Sequence, residues 1–212
     1  MLEIDKIQVF GWKSAIRGMR NPLNTWNKTD SEFGLSIEDW EIVELGINDL
    51  SLMRRLSNAG NDHSKFLRMI HVTMDILAPL YWWKEFDTYK VGTVANSCST
   101  MHKIHEKPFS IDDFQVDNLG DGGRGIYSFN IIPFLNDNRR KFVETGDKAF
   151  WWNMIQMLPS SYKQKRTVDL NYQVLKNMYH ARRNHKLDEW HTFCDIVKEQ
   201  LPYFNEICIE VI

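Results

Sequence analysis

LPSSYKQKRTVDLNYQVLKNMYHARRNHKLDEW, residues 158–190, decides how this chain is read. It opens on a Leu158-Pro159 break and a serine pair, passes the basic cluster Lys163, Lys165 and Arg166, and then takes helical spacing. The pattern predicts one helix from about Thr167 to Asn184. At 3.6 residues per turn, Asn171, Val174, Leu175, Met178, Arg182 and His185 share a stripe, with Asn177 on a neighbouring face. Polar groups of that size on an inward stripe need partners, supplied either by a ligand or by the fold. A guanidinium is a planar fork of donors suited to a carbonyl, carboxylate or phosphate. An amide offers a donor and an acceptor together, which suits the edge of a heterocycle. The basic cluster suits an anion such as a nucleotide phosphate. The plainer alternative for each residue is an amphipathic helix with solvated ends.

The composition bounds the rest. A chain of 212 residues with 43% apolar content can bury one sizeable core, so a single domain over 1–212 is expected. A net charge of −2 gives no overall field that would demand nucleic acid or an anionic membrane. No apolar run reaches the roughly 20 residues of a membrane helix. The opening MLEIDKIQVFGW lacks a signal-peptide layout, and three widely spaced cysteines, Cys98, Cys194 and Cys208, do not suggest a disulfide framework. Both point to the reducing cytoplasm.

Working outward, residues 3–10 alternate as a strand, and Ala15, Arg17 and Met19 fit a short helix that ends at Asn21-Pro22. Residues 24–36 read as loop and Ser36–Leu45 as a short strand. Asn48 is the expected cap of a helix that stops at Gly60. FLRMIHVTMDI, from Phe66, begins helical and turns into a strand at Ile70, Val72, Met74 and Ile76. A helix follows over 78–85, then a hydroxyl-rich loop over 86–103. The segment 108–125 reads as loop; its GDGGRG lacks the Gly-Lys-Ser/Thr ending of a phosphate loop. Helices are expected over 131–144, 148–158 and 188–200, and a terminal strand over EICIEVI.

The spacing of Leu158-Pro159, Asn171, Asn177 and Arg182 resembles that of the flavin-dependent thymidylate synthases, with a basic residue between the Leu-Pro and the first Asn met by Lys165 or, with a slip of one, Arg166. Upstream, Gly60, His63 and Ser64 follow the order of that family's Gly-His-x-Ser stretch. The family signature Arg-His-Arg-x-x-Ser-x-Asn-x-x-Ser-x-Arg-Tyr aligns with 89–102: Asn96 and Ser99 match, Tyr89-Lys90-Val91 replaces Arg-His-Arg, and Met101-His102 replaces Arg-Tyr. The resemblance covers roughly residues 5–195.

It implies an α+β fold, a central mixed β-sheet flanked by helices, assembled as a homotetramer. It implies FAD as cofactor, NADPH as reductant and methylenetetrahydrofolate as one-carbon donor to a dUMP-like pyrimidine nucleotide. By the same resemblance Arg182 is the catalytic residue and holds the pyrimidine edge. Ser99 and Lys165, or Arg166, meet the nucleotide, and His63, Asn96, Asn171, Asn177 and His185 meet the flavin. The replaced arginines keep a second reading open, a non-catalytic relative that retains the fold, with or without a nucleotide site.

Other constellations carry less. His180 and His185 are five apart, not the four that puts two metal ligands on one helical face, so no metal site is expected. Cys98 aligns with no catalytic position of the family. Trp82-Trp83 and Trp151-Trp152 read as core or interface residues before ring-stacking platforms. Nucleic acid, through Lys163–Arg166 and Arg139-Arg140, is the least favoured partner.

Overall fold

The first strand forms where alternation placed it. The structure is a computed structural model that describes residues 1–35 and 41–210. In order it runs β1 (Glu3–Phe10), α1 (Trp12–Arg20), the hairpin β2 (Glu32–Leu35) and β3 (Glu41–Glu44), α2 (Ile47–Asn58) and a 3-10 turn (Ser64–Met69). β4 (His71–Pro79), α3 (Leu80–Phe86), β5 (Val94–Ser97), α4 (Asp121–Ile126), α5 (Ile132–Thr145) and α6 (Lys148–Gln156) follow. β6 (Lys163–Asn171), α7 (Tyr172–Arg182) and α8 (Asp188–Gln200) complete the order before a π turn at Asn205–Ile209. The fold is α+β, with a four-stranded sheet ordered β1-β4-β6-β5 and the separate two-stranded hairpin. The side-chain pairs His71–Asp169 and Asp75–Thr167 step in opposite directions, so β4 and β6 run antiparallel. No helix among the described residues is long and apolar enough to cross a membrane.

The chain forms two compact units. One comprises Met1–Glu3, Ile76–Asp87 and Asn96–Arg166. In it Trp82, Trp83 and Phe86 are fully buried, their rings about 5 Å apart, and Trp83 Nε1 donates to the Gln164 carbonyl at 2.9 Å. The tryptophan pair is therefore core. A second cluster packs Phe109, Phe114 and Val116 with Leu135 of α5 and Met154 of α6.

The other unit comprises Ile4–Asp75, Thr88–Ala95 and Thr167–Ile212. Trp12, Tyr172 and Phe204 stack edge to face through its centre, 5.3 Å between successive ring centroids. Tyr172 spends its hydroxyl on the Pro202 carbonyl at 2.7 Å. Beside this core lies a buried ion pair, Arg20 with Asp49 at 2.6 Å. Thr29 and Ser31 also donate to Asp49, at 2.7 Å each. Burial alone would raise the Asp49 carboxyl, but hydrogen bonds from Thr29, Ser31, Arg20 and the Asp30 backbone hold it below its ordinary value.

Several expectations are corrected. The helix expected from Thr167 starts only at Tyr172, because Gln164, Val168 and Leu170 alternate inward on β6 and the backbone pairs with neighbouring strands. The glycine-rich 120–125 segment is the start of a helix, α4, rather than a loop. Of the terminal strand expected over EICIEVI, residues 206–209 lie instead in a π turn, closed by Glu210 N–H donating to the Asn205 carbonyl at 3.0 Å, and 211–212 lie outside the described residues. Short strands occupy part of both expected loops, β2 in 24–36 and β5 in 86–103. Of the strand expected over 36–45, residues 41–44 are β3 and 36–40 lie outside the described residues. Asn48 does not cap α2. Gly46 does, and the Asp30 carboxylate accepts from the N–H groups of Asn48 and Asp49 at 2.9 and 3.0 Å. A Cβ on Gly46 would lie 2.1 Å from that carboxylate, so the close approach demands glycine.

Candidate functional site

Strand alternation sorts the basic cluster of β6. Lys163 and Lys165, two apart, line a cleft of about 420 Å³ together with Ser99, Lys107, Asp113 and Tyr162. Arg166 is not in that lining. Its guanidinium stacks 4.2 Å over the Trp83 ring, pairs with Asp87 at 2.7 Å and donates to Gln164 Oε1 at 3.0 Å. Lys165 therefore lines the cleft, whereas the donors of Arg166 are committed to packing the sheet.

The Ser99 segment is fastened to β6. Cys98 N–H donates to the Lys165 carbonyl at 2.9 Å, and Gln164 Nε2 donates to the Cys98 carbonyl at 2.8 Å. Ser99 Oγ accepts from His102 N–H at 2.9 Å, which fixes the turn and orients the hydroxyl. Across the cleft Lys107 pairs with Asp113 at 2.6 Å, and Asp113 also accepts from Ser110 N–H at 2.8 Å. The hydrogen bond from Lys107 to Asp113 raises the Lys107 ammonium above its ordinary value, and burial raises the Tyr162 phenol. At neutral pH Lys107 is therefore charged and the Tyr162 phenol neutral. That set suits a singly phosphorylated, partly apolar anion. Sequence reasoning missed Lys107, Asp113 and Tyr162: nothing in KPF or SSY marks them, since they meet Ser99 and Lys165 only through the fold.

Asn96 sits exposed on β5.

In the other unit, Arg182 ends α7. Its Nε donates to the Tyr89 hydroxyl at 3.0 Å, and its guanidinium lies 5.6 Å from the Tyr89 ring centre and 5.0 Å from that of buried Trp190. Two aromatic faces and one hydrogen bond fix the fork in place. His185 lies against Trp190, ring centres 6.4 Å apart, and its Nδ1 accepts from Leu187 N–H at 3.1 Å.

The two asparagines differ from one another. Asn171 is buried and is the cap of α7, its side-chain oxygen accepting from Val174 N–H at 3.1 Å. Gly92, at φ +79°, lies so close that a Cβ there would meet Asn171 Nδ2 at 3.1 Å. Asn177 is exposed nearly two turns further on and accepts from Gln173 Nε2 at 3.2 Å. His63 is exposed ahead of the 3-10 turn, whereas Ser64 beside it is buried and donates to Gln173 Oε1 at 2.8 Å. Asn171, Asn177, Arg182, His185 and His63 thus belong to one unit, and Ser99, Asn96, Lys165 and Arg166 to the other.

No family model matches the chain, and no curated protein sequence matches it. Solved structures do. The fold is similar to that of thymidylate synthase X from Helicobacter pylori, crystallised with FAD and dUMP: TM-score 0.73 at 16% identity, covering 99% of this chain and 98% of that one. A second structure of the flavin-dependent enzyme from H. pylori, also complexed with FAD and dUMP, superposes at TM-score 0.67 and 15% identity, covering 98% of this chain and 100% of the other. At that identity the likeness establishes the fold.

Proposed function

We propose that residues 1–212 form one divergent flavin-dependent thymidylate synthase-like domain that binds FAD and a dUMP-like pyrimidine nucleotide and transfers a one-carbon unit to the pyrimidine. The observation that carries this reading is the meeting of Ser99 and Lys165 in one cationic cleft, within a fold whose solved neighbours were crystallised with FAD and dUMP. The cleft takes the nucleotide phosphate. Ser99 supplies a hydroxyl whose oxygen is already oriented by His102 N–H, and Lys165 and Lys163 supply positive charge. Arg182, held by Tyr89 and Trp190, presents its fork to the pyrimidine edge and stabilises negative charge developing there, an electrostatic role needing no motion at the moment of reaction.

The residues present fit a flavin in part. Asn177, His63 and Asn96 are exposed polar groups, as an isoalloxazine edge requires, whereas Asn171 is buried, its oxygen occupied by the helix cap and its amide nitrogen packed beside Gly92. FAD, when bound, supplies the electron transfer that the side chains cannot. NADPH and methylenetetrahydrofolate complete the chemistry in this reading, and the working form is a cytoplasmic homotetramer.

A second reading, a non-catalytic relative, draws on the signature positions, where Tyr89 stands at the first arginine and engages the remaining one. Tritium release from labelled dUMP, with folate and reductant, separates the two. Release that is abolished by Arg182→Ala supports the enzyme. Nucleotide binding without release supports the relative, and protein that stays colourless with added FAD and binds no pyrimidine nucleotide refutes the enzyme.

A further inference from the structure

Away from the candidate site, in the unit that contains α1, a cavity of about 320 Å³ opens between α1 and the hairpin. Its lining is mostly apolar: Ile16 forms a floor that is 3% exposed, while Trp26 and Phe33 stand as walls at 50% and 37% exposure. The walls are held in position. Trp26 Nε1 donates to Asn21 Oδ1 at 2.8 Å. The buried Arg20 guanidinium donates to the Lys28 carbonyl at 3.0 Å and to the Thr25 carbonyl at 3.3 Å, tying down the turn that carries Trp26. Arg20 is itself neutralised by Asp49.

Lys13 and Arg17, one helical turn apart on α1, line the cavity too, with Arg20 and Thr29. Lys13 and Arg17 are both exposed; the Lys13 backbone N–H donates to the Glu41 carboxylate at 3.1 Å, and neither side chain forms an ion pair among the described residues. Like charges at that spacing repel one another. An anion placed between them removes the repulsion and gains two charge-assisted contacts. A fixed indole and a phenyl wall over an aliphatic floor favour a flat apolar body. We infer that this cavity binds a small aromatic anion, a planar ring system bearing one carboxylate, sulfonate or phosphate. The ring lies against Trp26 and Phe33 and the anionic group between Lys13 and Arg17. The volume, about 320 Å³, is at the lower end of ligand-sized cavities and matches a single ring system.

The test uses two probes on the full chain: 8-anilinonaphthalene-1-sulfonate, a planar anion, and the neutral N-phenyl-1-naphthylamine. One saturable sulfonate site per chain is expected. The double variant Lys13→Ala/Arg17→Ala weakens the sulfonate about tenfold and leaves the neutral probe unchanged. Trp26→Ala weakens both probes, and circular dichroism reports that both variants remain folded. Sulfonate binding indifferent to all three substitutions overturns the inference. So does a neutral probe that binds as tightly as the anion, which marks a merely apolar patch. A concentration-dependent mass increase abolished by Trp26→Ala also overturns it, because a second copy of the chain would then cover the cavity.

Discussion

Arg182 donates from Nε to the hydroxyl of Tyr89, 3.0 Å away across a separation of 93 residues. Tyr89 stands where the resembled signature begins with arginine, and its hydroxyl anchors Arg182. Replacing Tyr89 with Phe keeps the ring and removes the acceptor. A hydrogen bond to a charged group contributes about 1.5–3 kcal/mol, so dUMP affinity is expected to fall between about tenfold and a hundredfold by calorimetry, with the melting temperature little changed. Unchanged affinity would remove Tyr89 from the proposed site.

Lys165 and Arg166 are neighbours in sequence with separate fates. Lys165→Ala is expected to weaken dUMP binding about tenfold and to flatten its salt dependence, since an exposed phosphate contact is lost. Arg166→Ala is expected to leave dUMP binding unchanged and to cost about 1–2 kcal/mol of stability through the lost Trp83 stack and Asp87 pair, read by urea unfolding. The reverse pattern would return Arg166 to the cleft.

Asp49 makes stability depend on acid pH. Its carboxyl is held below its ordinary value in the folded chain, so the unfolded chain takes up the proton first. The stabilisation is fully present above the ordinary carboxylate range and is lost as pH falls through the lower folded value. Asp49→Asn leaves Arg20 buried with only neutral partners and should cost about 3–5 kcal/mol. A melting-temperature profile over acidic pH should lose its steepest part in this variant.

Asn171 acts first as a helix cap. Asn171→Ala is expected to cost about 1 kcal/mol, and Asn171→Asp, which keeps the accepting oxygen, close to nothing. If FAD affinity falls equally in both variants, the amide nitrogen beside Gly92 is in use as well as the cap.

The three cysteines should separate by reactivity. Burial pushes the thiols of Cys194 and Cys208 up to about 12, whereas Cys98 is exposed. Ellman's reagent should titrate one thiol in the folded chain and three after denaturation.

Much of this was legible from local pattern. Alternation at Ile70, Val72, Met74 and Ile76 gave β4, and the apolar spacing of 188–200 gave α8, because burial on one face imposes a period visible in sequence. The same rule misled over 167–171, where a strand runs directly into a helix. The residues Thr167 to Asn171 fit either period, and only hydrogen bonding within the sheet selects the strand. The motif spacing likewise pointed to Ser99, Lys165 and Arg182 without distinguishing Lys165 from Arg166.

By itself the sequence determined the α+β alternation of elements, the tryptophan-rich core and the family resemblance in the Leu158–Trp190 stretch, since each of these rests on the order and spacing of residues along the chain. Tertiary structure alone decided that Lys107 and Tyr162 share a cleft with Ser99, that Arg166 turns to Trp83 and that Tyr89 grips Arg182. Those meetings join residues tens of positions apart. Backbone pairing between strands sets the side on which each side chain emerges, and no local pattern encodes which distant partner it finds there.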